Sequence, residues 1–328
     1  MRPFLTRVIT SIVFAAGLIA CDSGSTTGPT AGTFATSPSS AELVVSDITN
    51  FWTAYDEFQR TTQASAFQSR YLDHASPGLA DFIVARQLTA ASLAAMVRAY
   101  PRYFAAIRPV MASLANGAVS AQVRAHYATL QSLYPSAVFP TVTFLIGRFS
   151  TGGTTRNNRI LIGSEFYVAD SLVPRDELAA FPAANVKPLL WLPVIVAHEH
   201  THILQQRAGG IFGHPTLLEQ ALTEGAADFV SELVSGRNIN GWLAAFGLAN
   251  EHQLWLDFQA QRNGTDISQW LYNQGNPPPG RPGDLGYFIG YRIAQAYYAR
   301  TTAKTQALRD IIEVRDAPAF LAASGYNP

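Results

Sequence analysis

Between Pro188 and Arg207 the chain reads PLLWLPVIVAHEHTHILQQR, and within it His198, Glu199 and His202 form the pattern H-E-x-x-H. On an α-helix, residues four apart differ by only about 40° in azimuth, so both imidazoles leave one face and can share a metal ion. Glu199 sits one step round the helix, able to reach a water molecule without ligating the metal, which is where a general base is needed. Two imidazoles leave a tetrahedral zinc site short, because catalytic sites usually have three protein ligands and one open position.

A third ligand is available on a second helical pattern, Leu217 to Leu233, which carries Glu224 and Asp228 four residues apart on a shared face. Glu224 can complete a His-His-Glu zinc site. Asp228 can accept the free ring N–H of one ligating histidine and so fix its tautomer and orientation. The interval from His202 to Glu224 leaves room for two helices folded side by side. Glu219 and Glu232 lie on or near the same helix without such a partner and read as solvated carboxylates. His200 lies two residues from each histidine ligand and points away from their face, as a surface residue or a support for the ligands. His74 and His126 have no second ligand at helical spacing.

The segment PTLLEQALTEGAADFVSEL, with HEHTH and the later GYFIGYRIAQAYY, resembles a bacterial family of predicted zinc-dependent proteases, and is also similar to gliding-motility lipoproteins. The likeness runs from about Tyr71 to Tyr326. It implies a zincin-like metallopeptidase of gluzincin type, with Zn2+ as cofactor and a peptide or protein as substrate. Related gluzincins often stabilise the oxyanion with a Tyr or His downstream of the third ligand; Tyr287 and Tyr291 are the candidates here, with His252 behind them. The competing expectations are an envelope scaffold that retains the fold without catalysis, and zinc-dependent hydrolysis of a non-peptide substrate. A general base at Glu199 argues against the scaffold, since a purely structural zinc site has no use for one.

At the N-terminus, Arg2 and Arg7 flank an apolar run from Val8 to Ala20 that is short for a bilayer span and reads as a secretory signal peptide, residues 1–20. It ends in Leu18-Ile19-Ala20-Cys21, a bacterial lipobox in which Cys21 would be lipidated and serve as the membrane anchor. The expected location is the bacterial cell envelope. Cys21 is the single cysteine, so the fold relies on its core rather than on disulfides. Residues 21–40 read as a flexible linker rich in Ser, Thr, Gly and Pro.

The remaining residues, 41–328, are long enough for one sizeable core. Lys plus Arg and Asp plus Glu number 23 each, and only 14% of residues are charged, with no basic stripe, so nucleic acid is not an expected partner. Apolar residues recur at helical spacing over 41–134, predicting five or six helices, with Pro77, Pro101 and Pro109 at breaks or first turns. Ala137 to Phe149 and Arg159 to Val168 are rich in β-branched and aromatic residues and predict a β-hairpin joined by STGGTTRNN. Its position suits the edge that zinc peptidases of this general build offer to an extended peptide, and equally a buried structural ribbon. The pair Gly152-Gly153 within the connection lacks the Lys-Ser/Thr and helix of a phosphate loop. The metal-site helices occupy 186–235 and further helices 239–328, including about Trp242 to Arg262 and Leu285 to Arg300. The expected fold class is therefore mainly α with a small antiparallel hairpin or sheet.

Overall fold

The computed structural model describes residues 30–328. The expected signal peptide and Cys21 lie outside the described residues. Six helices form the N-terminal part: α1 (Ser46–Thr61), α2 (Ser65–Arg70), α3 (Pro77–Arg86), α4 (Ala90–Ala99), α5 (Pro101–Ala112) and α6 (Ala118–Leu133). Pro77 and Pro101 occupy first turns, where a missing N–H costs nothing, while Pro109 lies in the last turns of α5. The aromatic stripe Phe51, Trp52, Tyr55 and Phe58 is buried on α1. Asp47, fully buried near the start of α1, accepts from the backbone N–H and hydroxyl of Ser76 (3.1 and 2.6 Å), and Ser76 in turn caps α3.

The sheet contains β1 (Leu43–Val44), β2 (Thr141–Leu145), β3 (Gly153–Arg156) and β4 (Arg159–Gly163) in the order β1-β2-β4-β3. Here the structure corrects the expected hairpin. β2 and β4 run parallel, Thr141 opposite Arg159, and the segment expected as their turn holds a strand of its own. Asn157 and Asn158 have φ of 48° and 60°, so they close a tight two-residue turn between β3 and β4. Ile160, Leu161 and Ile162 are all fully buried, the continuous apolar run of a central strand covered on both faces. β3 lies at one edge of the sheet and β1 at the other.

Helix α7 (Ala180–Asn185) leads to α8 (Leu192–Ala208), which carries H-E-x-x-H and ends at Gly209 in the left-handed region. Helix α9 (Leu217–Ser235) starts with a capping box in which Thr216 and Glu219 satisfy each other's backbone N–H. The helix expected over Trp242 to Arg262 is divided into α10 (Ala244–Ala249) and α11 (Glu251–Gln261). Asn250 leaves helical geometry between them, and its side chain donates to the Phe246 carbonyl at 2.8 Å. Then follow α12 (Leu285–Arg300), α13 (Lys304–Ile312) and α14 (Ala317–Ser324).

Helix α9 is the hub, packed against α8 on one side and α12 on another. Gly225 and Gly290 meet at the α9–α12 contact, and a Cβ at Gly290 would overlap the Ala221 carbonyl. The chain from Thr30 onward is docked, where the sequence reads as a flexible linker to residue 40. Ala35 and Phe139 exchange two backbone hydrogen bonds of 2.9 Å, and Arg124 donates to the Ala41 carbonyl at 2.6 Å. These bonds use main-chain groups, which side-chain composition does not reveal. The fold is thus mainly α with a small mixed sheet.

Candidate metal centre and cleft

Helices α8 and α9 bring His198, His202 and Glu224 together, buried at 5, 8 and 8% exposure. The two Nε2 atoms stand 3.0 Å apart, and Glu224 Oε2 lies 3.4 Å from His198 Nε2 and 3.3 Å from His202 Nε2. Three donors bound at ordinary zinc distances to a tetrahedral ion stand about 3.3 Å apart. The triangle has that size.

The bonds on the far side of each ring fix what the triangle offers. Asp228 Oδ1 lies 2.9 Å from His198 Nδ1, and the Asp228 carboxylate also accepts from the Asn240 amide at 3.0 and 3.3 Å, so it is an acceptor and the ring must donate. Gln205 Oε1 lies 2.8 Å from His202 Nδ1, and the Gln205 amide NH2 donates to the Thr223 carbonyl at 2.9 Å, which fixes that amide's orientation. With both protons on Nδ1, neutral rings turn two Nε2 lone pairs towards a carboxylate oxygen. Three buried acceptors converge with no donor among them, an arrangement that only positive charge resolves. A metal cation fits the donor set, and the far-side bonds are those that ligating histidines use.

The electrostatics point the same way. Burial disfavours the imidazolium of His198, but the bonds to Asp228 and Glu224 outweigh it and raise its pKa well above the usual range. The pKa of His202 is also raised: burial opposes the charge, and Glu224 overcomes it. Burial pushes the Glu224 carboxyl upward, yet the charge of His202 and the hydrogen bond from His198 bring it well below the usual carboxylate range. The pocket favours positive charge against Glu224.

Glu199 is buried at 7% exposure beside the triangle. Burial raises its carboxyl pKa, opposed by the two histidines and by the Arg86 guanidinium at the end of α3. Its carboxylate rests against the edge strand, where a Cβ on Gly153 would come within 2.5 Å of Glu199 Oε1. The absent side chain lets β3 run over this carboxylate. A cleft of about 170 Å³ opens here, its lining including Gly152, Gly153, His198, Glu199, Asn240 and Tyr287.

Of the two tyrosines suggested by the sequence, Tyr287 lines this cleft, its ring stacked on His198 at 6.5 Å between centroids. Tyr291, one turn on, does not. It packs on Phe229 at 5.8 Å, and Gln295 donates to its hydroxyl at 3.4 Å. His252 bonds the Pro328 carbonyl at 2.8 Å, on the exposed side of α11. His200 does point away from the triangle, yet it is fully buried rather than at the surface. It lies against the Tyr127 and Phe139 rings, 2.6 Å from the Val138 carbonyl, and burial pushes its pKa down to about 4.

Tyr272 is the residue that sequence reasoning missed most completely. Its hydroxyl donates to Glu224 Oε1 at 2.7 Å, occupying the carboxylate oxygen turned away from the histidines. Its backbone is left-handed at φ 56°, and the reciprocal bonds of Asn273 and Asp284 (2.9 and 2.6 Å) hold the loop there. Gln205 had a legible signal, three residues after His202 on the same face. Tyr272 and Asn240 lie in loops and had none.

Residues 167–313 match the family model described as Predicted Zn-dependent protease (DUF2268). The match takes in α8, α9, the cleft wall from Tyr167 and helix α12, a narrower span than the resemblance from Tyr71 to Tyr326. No curated protein and no solved structure matches the chain. The buried His-His-Glu cluster is compatible with zinc and agrees with the zinc-dependent protease that the family description suggests.

Proposed function

We propose that this chain is a zinc-dependent peptidase of gluzincin type, with His198, His202 and Glu224 as ligands and Asp228 orienting His198. The observation that carries the reading is the convergence of three buried acceptors beside a carboxylate, Glu199, that is left free of them. Zinc held there supplies Lewis acidity, polarising a scissile carbonyl and acidifying water. Glu199 takes the proton from the attacking water and delivers it to the leaving amine; its raised pKa suits a group that must hold a proton between the two steps. Tyr287 makes no side-chain hydrogen bond among the described residues and lines the cleft, so its hydroxyl is the candidate donor to the substrate oxyanion, with Tyr291 set aside by its position. The free edge of β3 offers main-chain groups for pairing with an extended peptide.

Among the described residues no single helix is long and apolar enough to cross a membrane. We place the protein in the bacterial envelope, exported and anchored through a lipidated Cys21, with residues 41–328 as one metallopeptidase domain. The test of the catalytic reading is Glu199→Gln. Hydrolysis of a peptide that the wild type cleaves should fall by at least about 100-fold while bound zinc stays at the wild-type level. An unchanged rate in a zinc-loaded variant would remove Glu199 from the chemistry.

A further inference from the structure

The cleft carries charge that the hydrolytic chemistry does not use. Lys187 lines it, on the wall that follows α7. Its backbone is fixed on both sides, the N–H donating to the Phe166 carbonyl (2.7 Å) and the carbonyl accepting from Ala169 (3.0 Å). Among the described residues its ammonium finds only the face of Trp191, 5.7 Å from the ring centroid, and the Arg237 guanidinium lies 5.9 Å from the same ring. Arg175 is tied to the Ala169 carbonyl at 3.0 Å, near enough for its charge to act on Lys187.

Among the described residues none of these three cations has a carboxylate within ion-pair distance. Of the acids in the adjoining loop, Asp170 is turned to its own backbone, accepting from the Leu172 N–H at 2.8 Å, while Asp176 and Glu177 pair with Arg102. In a chain whose formal charges sum to zero, an unpaired, half-buried ammonium on a substrate cleft is a local excess of positive charge. Burial, followed by the charge of Arg175, pushes the Lys187 pKa down, so the charged ammonium lacks a partner that an anion would provide. Phe166, Phe181 and Ile239 add apolar lining to the same cleft.

We propose that Lys187, flanked by Arg175 and Arg237, receives a carboxylate of the substrate, and that the cleft selects peptides presenting an apolar residue together with that carboxylate. This rests on the peptidase reading of the same cleft. The carboxylate has two sources, a peptide C-terminus or an acidic side chain, and both present the same chemistry to an ammonium.

The experiment uses paired peptides on the zinc-loaded protein. One pair has a neutral sequence with a free or an amidated C-terminus; the other has internal Glu or Gln with both termini blocked. Cleavage is measured as kcat and KM, and binding is measured separately, by anisotropy of the labelled peptides on Glu199→Gln, where turnover is slowed. The wild type should favour the carboxylate member of one pair by about 10-fold or more, expressed in KM, and that pair identifies the source. In Lys187→Met, which keeps the stem on Trp191, the preference should collapse towards unity, and Lys187→Arg should keep it. Equal binding of both members of each pair, no binding of any, or an undiminished preference in Lys187→Met overturns the inference. A binding preference without any cleavage by the wild type would support the subsite and contradict the peptidase reading instead.

Discussion

Glu199 and Gly153 show how narrowly the site is set at the level of single residues. The carboxylate is held between the His198–His202–Glu224 triangle and an edge strand that approaches it only because Gly153 has no side chain. Gly153→Ala should therefore move either the base or the strand by a few tenths of an ångström or more, and misplacements of that order lower rates by up to about 100-fold. The expected result is a fall in kcat/KM with zinc content unchanged, read by peptide assay alongside metal analysis. A variant with full activity would show that the base does not depend on this contact. His198, His202, Glu224 and Asp228 were all legible from helical spacing, because a helix converts sequence interval into direction. The role of Gly153 was not legible. The same Gly-Gly pair, judged on its neighbours alone, fails as a phosphate loop, and what it approaches lies on another element.

Among the elements, the α9–α12 contact lies beside Glu224, the proposed third ligand. Glu224 sits next to Gly225, which packs on Gly290, and the Ala221 carbonyl leaves no space for a methyl there. Gly290→Ala should cost about 3 kcal/mol or more, since backbone on both sides resists repacking, and it should lower the midpoint of urea unfolding. An unchanged midpoint would mean that the helices can separate without loss. The sequence placed α8, α9 and α12 within a residue or two, with Pro193 in the first turn of α8 and Gly209 and Gly236 ending α8 and α9, whereas Glu219, read as a solvated carboxylate, takes part with Thr216 in the capping box of α9. It misjudged the sheet. β-branched composition announces strands but not their partners, and the two-residue turn at Asn157-Asn158 had to be told apart from the longer connection around it. Tyr272 reaches Glu224 from a loop, where no periodicity operates.

Across the whole molecule, one buried acid outside the cleft links stability to pH. Glu165 accepts backbone N–H bonds from Gly147 and Phe149 (3.1 and 3.0 Å), yet burial dominates and raises its pKa to about 7. The folded value lies above the unfolded one of 4.5, so the folded state binds the proton more tightly. Its contribution is complete below pH of about 4.5 and is lost as pH rises through about 7, a change on the order of 3 kcal/mol. Urea unfolding of the zinc-loaded protein at pH 5 and pH 8 should show that loss in the wild type and a smaller one in Glu165→Gln. Identical slopes would place the carboxyl in a better solvated setting than its burial indicates.

The central claim is that His198, His202 and Glu224 form one metal centre. Elemental mass spectrometry of the purified wild type beside Glu224→Ala tests it most directly. The account predicts about one zinc per wild-type chain and marked loss in the variant, with circular dichroism showing both folded. A well-folded wild type that takes up no zinc, even after incubation with the metal, would contradict it.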